Sequence, residues 1–162
     1  MAKVDYFLKI EGIVGESTDD KHKNEIDVES WSWGETQTGG AAHGGGGGAG
    51  KVAMQDFHFV VRTSKASPKL MLACATGQHL KEAVLTCRKA GKDQQEFLKF
   101  TLSDLLVSSY QAKGEAGEGA VPTDQISLNF AELEVEYQPH DAKGLPDGAV
   151  KVGWDLKKNR KS

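Results

Sequence analysis

Residues 25–62 read EIDVESWSWGETQTGGAAHGGGGGAGKVAMQDFHFVVR. Apolar side chains alternate with polar ones on both sides of a glycine-rich segment, a pattern typical of two β-strands. The connecting segment, residues 39–50, has only one side chain larger than a methyl group, that of His43. A tight hairpin needs only about two to five loop residues. Since glycine loses the most backbone freedom on ordering, we expect this loop to be either mobile or ordered by contacts outside the subunit.

The composition predicts a single domain spanning residues 1–162. Hydrophobic residues make up 38% of the chain, charged residues 27%, and the net charge is -3. This balance gives no bias toward nucleic acid, and no apolar run approaches the roughly 18 residues that cross a bilayer, so we expect no membrane insertion. The N-terminal residues enter an alternating pattern at once, without the basic-then-apolar layout of a secretory signal. We therefore expect a cytoplasmic protein that, if exported, leaves without a signal peptide.

Most of the chain has strand periodicity. The first predicted strand has Val4, Tyr6, Leu8 and Ile10 on one face, and a polar loop follows over residues 12–24. In residues 26–33, 52–61 and 125–138 the apolar side chains change face by one residue within the strand. Such slips indicate bulges, or strands that serve two packed sheets. We predict a mainly-β fold, a small barrel of two antiparallel sheets.

One short helix interrupts the strands. Ser67 is suited to an N-cap, Pro68 to the first helical position, and Gly77 to the C-terminal stop. Further strands are predicted around residues 83–87, 97–110 and 150–156, with flexible segments at 38–51 (the long loop), 114–119 and 157–162 (a basic tail).

No pattern indicates an enzyme or a bound cofactor. Residues 45–51 have the spacing of a phosphate-binding loop, but Val52 stands where a hydroxyl would hold Mg²⁺, and a strand follows instead of a helix. Cys74 and Cys87 match no zinc spacing and are predicted to be reduced, inert thiols. The histidines have no pair at metal-ligand spacing and are predicted to be ordinary polar residues: His22, His43, His58, His79 and His140.

Strands with two partly apolar faces and a bare glycine loop are typical of a subunit that associates with copies of itself. A monomer with a mobile surface loop is the alternative. From the residues alone both remain open.

Several short motifs, spread in order from Val4 to about Asn159, resemble the haemolysin-coregulated protein (Hcp) family of type VI secretion systems. They are residues 15–17 (GES), 25–28 (EIDV), 31–34 (WSWG), 48–52 (GAGKV), 88–91 (RKAG), 106–109 (LVSS), 128–131 (LNFA), 137–139 (YQP) and 153–154 (GW).

This resemblance implies a barrel related to phage tail-tube proteins, with one helix and a long extended loop. It implies homohexameric rings that stack into the inner tube of a contractile injection machine, and that tube is expelled from the cytoplasm. Spike and sheath proteins are the implied partners, together with effector proteins held in the ring lumen. The loop is expected to contact a neighbouring subunit or ring through Gly39, Gly40, His43, Gly44, Gly45, Gly46, Gly47, Gly48 and Gly50.

The residues also suggest where a lumen surface would lie. Trp31 and Trp33 share one strand face and are expected in the barrel core. Alternation then places Ser30 and Ser32 on the opposite face, where small hydroxyls suit a channel wall that contacts effectors. The outer wall is the other possible location for these serines, and a small-ligand-binding barrel is the alternative function.

Overall fold

The computed structural model describes residues 3–39, 51–91 and 94–162. Ten strands and one helix lie within these ranges. They are, in chain order, β1 (Val4–Ile10), β2 (Ile26–Ser32), β3 (Glu35–Gln37), β4 (Val52–Met54), β5 (Phe57–Arg62), α1 (Ala66–Thr76), β6 (Leu80–Lys89), β7 (Gln95–Lys113), β8 (Thr123–Tyr137), β9 (Val150–Asp155) and β10 (Arg160–Lys161).

Six strands close into a barrel in the order β8-β5-β2-β1-β6-β7, and β7 pairs back onto β8. Every pairing is antiparallel. Strands β9 and β10 continue the sheet beyond β8, while β3 and β4 form a separate two-stranded sheet. The predicted mainly-β barrel with one short helix is confirmed.

The three slips in apolar phase have three structural causes. In β2 the register against β5 shifts between Val28 and Ser30, which is a bulge. Strand β8 pairs with β5 through residues 123–128 and with β9 through residues 132–137, so it serves two parts of the sheet. The segment 52–61, predicted as one strand, is two strands, β4 and β5.

The core fills the barrel interior with aliphatic and aromatic side chains. Around Phe57 the aromatic rings are in direct contact: its centroid lies 5.8 Å from that of Trp31 and 5.2 Å from that of Phe100. Trp33 also stacks on Phe57, with centroids 6.2 Å apart. The prediction that both indoles pack on the core side of the strand is therefore confirmed.

The prediction that Ser67 is the N-cap of the helix is wrong, because the helix begins before Ser67 and the Ser67 hydroxyl has another partner. Helix α1 begins at Ala66, and Lys65 occupies the N-cap without a side-chain hydrogen bond to the helix. Ser67 lies inside the first turn, where its buried hydroxyl hydrogen-bonds the Asp124 carboxylate on β8. It therefore fastens the helix to the barrel instead of capping it. Gly77 ends the helix as predicted, with φ 64° in the left-handed region that favours glycine.

Two segments outside the predicted strands, the polar loop 12–24 and the basic tail 157–162, are held against the barrel. The loop between β1 and β2 folds over β1, so that His22 stacks on Phe7 with ring centroids 4.4 Å apart. In the basic tail, Arg160 and Lys161 form β10 against Asp155 and Trp154. In the described part of the chain, no helix has the length and apolar character needed to cross a bilayer.

Candidate functional site

A row of small polar side chains crosses four adjacent strands of the barrel. Ser32 on β2 is the register partner of His58 on β5, and His58 is that of Ser127 on β8. Ser127 in turn pairs with Ser109 on β7. The imidazole Nδ1 of His58 lies 2.7 Å from the Ser127 hydroxyl oxygen, so two of these side chains are hydrogen-bonded across the strands.

A second row runs beside the first. Ser30 on β2 pairs with Val60 on β5, Val60 pairs with Gln125 on β8, and Gln125 pairs with Gln111 on β7. The two rows line one open depression of about 440 Å³. We call this surface the polar face, defined by Ser30, Ser32, His58, Val60, Ser109, Gln111, Gln125 and Ser127.

The bulge in β2 puts the serines on this surface. The register shifts at Glu29, so the inward-facing residue after Val28 is Trp31 and not Ser30. The side chains on either side of Trp31 therefore point outward. Ser30 and Ser32 are accordingly exposed while Trp31 packs against the core. Alternation in the strand predicted this exposure correctly.

Asp56 borders the polar face at one end. Its carboxylate accepts hydrogen bonds from the Ser108 hydroxyl at 2.6 Å and from the Asn129 amide at 2.9 Å. At the other end Arg62 on β5 forms an ion pair with Glu29, 3.5 Å between nitrogen and oxygen. Between these ends the lining consists of hydroxyl, amide, imidazole and apolar groups. Such a surface can form many neutral hydrogen bonds but few ion pairs.

A different polar cluster has a structural role. The buried guanidinium of Arg88 donates hydrogen bonds to both carboxylate oxygens of Asp19, and the Asp5 carboxylate lies 3.7 Å away. The hydrogen bonds from Arg88 hold the pKa of Asp19 down, at about 2. Nearby, burial raises the pKa of Asp27, and this effect is larger than the opposing one of the Arg62 charge. These contacts bind the β1–β2 loop to the barrel.

His22 belongs to the same loop anchor. Its two ring nitrogens lie 2.9 Å from a Glu25 oxygen and 2.6 Å from a Glu96 oxygen. The ring is buried against Phe7. His22 therefore connects the loop to β7, a specific structural role that the sequence did not suggest.

An apolar cleft of about 800 Å³ opens beside β9, outside the closed barrel. Its walls are the β3–β4 sheet on one side and the β8–β9 pairing on the other. The side chains that give it apolar character include Trp33, Val52, Met54, Leu133, Val135, Val152 and Trp154. At the base of the β3–β4 sheet, the Trp33 indole nitrogen, just before β3, donates a hydrogen bond to the carbonyl of Gln55, just after β4, at 3.0 Å.

The contact residues expected in the long loop lie mostly outside the described residues. Gly40, His43, Gly44, Gly45, Gly46, Gly47, Gly48 and Gly50 fall in this category. Gly39 is described: its amide donates to the Gln37 side-chain oxygen at 3.0 Å. Val52–Met54 form a strand, in agreement with the sequence argument against a phosphate-binding loop. Within the described ranges, no cluster of three or more potential metal ligands occurs.

Sequence reasoning found two members of the polar face, Ser30 and Ser32, and missed the others. His58, Ser109, Gln111, Gln125 and Ser127 come together only through the register of β5, β8 and β7. Alternation along each strand could have marked them as outward-facing, but not as neighbours. The pairing between strands that are far apart in sequence was the missing information.

The fold places the chain in the class of small closed antiparallel β-barrels with one short helix. The comparisons with known proteins make the class specific. Residues 7–137 match the protein family described as "Type VI secretion system effector, Hcp". This chain belongs to the Hcp family of type VI secretion proteins.

The relatives agree in sequence and in structure over nearly their whole length. Protein hcp1 of Pseudomonas aeruginosa is 49% identical over 158 residues, which is 96% of this chain and 97% of that protein. A solved type six secretion system protein has a TM-score of 0.92 at 31% identity, covering 99% of this chain and 100% of the other. Hcp1 from Salmonella typhimurium has a TM-score of 0.81 at 39% identity, with full coverage of both chains.

Proposed function

We propose that this chain is the subunit of a type VI secretion inner tube. Six copies form a ring, rings stack into a tube, and the polar face of each subunit lines the channel. The tube contacts spike and sheath proteins and carries effector proteins through the cell envelope. It leaves from the cytoplasm by the type VI route, without a signal peptide. The role is structural, and it requires no catalytic group or cofactor.

The polar face is the observation that supports this proposal. Four adjacent strands, β2, β5, β8 and β7, present hydroxyl and amide side chains side by side, and no described segment of the same chain covers them. A wall of this chemistry stays hydrated and offers neutral hydrogen bonds, so a protein can be retained on it without strong adhesion. A face buried in an interface between barrels would instead have an apolar centre.

The proposed assembly requires contacts that repeat around a ring. A ring of six equivalent subunits closes through heterologous contacts, in which two different patches of each subunit meet. The β3–β4 sheet is a candidate for one of them, because an isolated two-stranded sheet is marginally stable in water. We propose that this sheet and the loop residues 39–50 contact a neighbouring subunit or ring. Deletion of residues 44–48 is then expected to leave the barrel folded and to impair stacking or secretion.

Two measurements on one protein test the ring and the position of the polar face. Native mass spectrometry is expected to give six copies per particle. Ser32→Cys, in a Cys74→Ser background, is then labelled with a maleimide gold cluster and imaged by negative-stain electron microscopy. Gln78→Cys, an exposed neutral position after α1, is the matched control for labelling elsewhere.

Gold at Ser32→Cys is expected in the central channel of the particles. Gold on their outer wall contradicts the channel assignment, and a monomeric mass contradicts the ring. Effector retention tests the function of the same residue: Ser32→Gln is expected to preserve the ring and to reduce the amount of effector that co-purifies.

The small-ligand-binding barrel remains the second candidate because of the apolar cleft. The apolar side chains of its walls, Trp33 and Trp154 among them, would suit an apolar molecule. A monomeric mass in solution, together with a retained small molecule in native mass spectra that Val152→Glu abolishes, would favour this function over the tube.

A further inference from the structure

Helix α1 has apolar side chains on two opposite faces. One face, which includes Leu70 and Ala73, is buried against the barrel. The other face is exposed in the described part of the chain and consists of Pro68, Met71, Leu72 and Ala75. This spacing, at positions i, i+3, i+4 and i+7, is that of a helix face that packs on a partner. Because a helix that is apolar all round is normally buried, we expect the exposed face of α1 to be covered in the assembled protein.

The apolar cleft has the shape and chemistry of a partner for this helix face. Its two walls, the β3–β4 sheet and the β8–β9 pairing, line a volume of about 800 Å³, and Val152 in the second wall is 55% exposed. An α-helix with its side chains is about 10–12 Å across. An apolar groove that accepts one face of a helix is a common mode of protein recognition, and its anchors have the spacing found on α1.

Helix α1 and the cleft lie at opposite ends of β8. The Ser67 hydroxyl fastens α1 at Asp124, whereas Leu133 belongs to a wall of the cleft. Nine positions of strand separate Asp124 from Leu133, roughly 30 Å at the usual rise per residue. Ser127 of the polar face lies between them. The helix of one subunit is therefore too far from its own cleft to fill it, and another copy has to supply the helix.

The few charges on the two surfaces are complementary. Lys69, near the N-terminal end, is the only charged side chain of α1, and the last turn has no basic residue. The described lining of the cleft has one acid, Glu35 on β3, and one base, Lys161 on β10. Lys69 can pair with Glu35, while Lys161 can meet the carbonyl end of the helix, where the partial charge is negative. The two pairs specify one orientation of the helix in the cleft.

We propose that α1 of one subunit packs its exposed face into the apolar cleft of the next subunit around the ring. This inference rests on the proposed function, which supplies the ring. The helix and the cleft are different patches, so the contact is heterologous and repeats head to tail. It leaves the polar face, which lies between the two patches, uncovered.

A charge inserted on either surface tests the contact. Leu72→Glu on α1 and Val152→Glu in the cleft are each expected to lower the mass in native mass spectrometry from six copies to one, because a buried carboxylate without a partner is unfavourable. Leu145→Glu is the matched control. Leu145 is 58% exposed, against 57% for Leu72 and 55% for Val152, and it belongs to neither surface. This variant is expected to keep six copies.

A cross-link detects the contact without weakening it. Leu72→Cys and Val152→Cys are combined in a Cys74→Ser background and treated with a short bismaleimide. Denaturing gel electrophoresis is expected to show a ladder that ends at six linked chains. Each single-cysteine variant is expected to stay at one chain, since a head-to-tail contact does not bring two copies of the same residue together. The cysteine pair keeps the inference testable if a glutamate variant does not fold.

Six copies in either glutamate variant, or the absence of the ladder from six-copy rings, overturns this inference and leaves the ring proposal intact. A ladder that passes six chains also overturns it, because the contact then joins stacked rings. Linked dimers from Leu72→Cys alone would mean that α1 meets another α1, which contradicts the head-to-tail contact. A monomeric wild type instead contradicts the ring proposal itself, and this contact with it.

Discussion

Arg88 donates two hydrogen bonds, at 2.9 and 2.6 Å, to the carboxylate of Asp19, a residue 69 positions earlier in the chain. The guanidinium is almost completely buried, with 2% of its residue surface exposed. The pair joins the β1–β2 loop to β6, and the Arg88 guanidinium also lies over the Phe7 ring at 4.8 Å. The loop therefore depends on a buried charge for its attachment.

Replacing Asp19 with Asn is expected to destabilise the protein by about 3 kcal/mol, because it leaves a buried guanidinium with a weaker partner. Urea unfolding of the purified variant measures the loss. Asp20→Asn is the matched control, since Asp20 is exposed and next in the chain. Equal stabilities of the two variants would falsify the assignment of the loop anchor to Asp19.

The same pair makes stability depend on pH in the acid range. Arg88 lowers the pKa of Asp19 from 3.8 to about 2, so the folded state favours the ionised carboxylate. Its contribution is fully present above pH 3.8 and is lost as the pH falls toward 2, a difference of about 2 kcal/mol. The gap in unfolding free energy between the wild type and Asp19→Asn should therefore narrow across this interval. A gap that stays constant from pH 5 to pH 2.5 contradicts the prediction.

Gly15 is expected to tolerate no side chain. A Cβ there would lie 2.5 Å from the Glu25 carbonyl oxygen, which is backbone and cannot move aside without shifting the start of β2. Gly15→Ala should cost about 1–3 kcal/mol, the usual range for overpacking. Gly114→Ala is the control, because no heavy atom lies within 4 Å of its Cβ position. Thermal unfolding compares the two, and a Gly15→Ala protein as stable as the control would show that the loop can yield.

The two cysteines are expected to differ in reactivity. Cys87 is buried in the core, and burial raises the pKa of its thiol to about 12. Cys74 lies half-buried on α1. In the folded protein at pH 8, Ellman's reagent should therefore modify Cys74 first, while Cys87 reacts only after unfolding. Cys74→Ser should abolish the fast reaction, and a fast reaction that remains in this variant would show that Cys87 is accessible.

The sequence predicted correctly those features that depend only on residues close together in the chain. Strand β1 follows from alternation over seven residues. The end of α1 requires only that one residue, Gly77, adopt the left-handed conformation. Ser67 was misread for the opposite reason. Its partner, Asp124, is 57 residues away and reaches it only when β8 is in place.

Phe7 shows the same limit. Alternation puts Phe7 on the side of β1 opposite Leu8, where its neighbours are polar, yet only 5% of its surface is exposed. The β1–β2 loop covers it with His22, whose own position depends on Glu96 of β7. A pattern along one strand cannot show what a distant loop will cover. The polar face was incompletely predicted for this reason too, since His58 and Ser127 are 69 residues apart.

Two strand pairings, β7 with β8 and β9 with β10, differ in the number of hydrogen bonds that hold them together. Strands β7 and β8 are in register from Leu98 opposite Tyr137 to Lys113 opposite Thr123, and their hydrogen bonds stand across the strand direction. A force along these strands therefore loads many bonds in shear, and they must fail together. Strand β10 pairs with β9 through Arg160 and Lys161, and the Ser162 amide adds one bond to the Gly153 carbonyl, so far fewer bonds share such a load. Under load we therefore expect β10 to detach first, while the closed barrel keeps its shape.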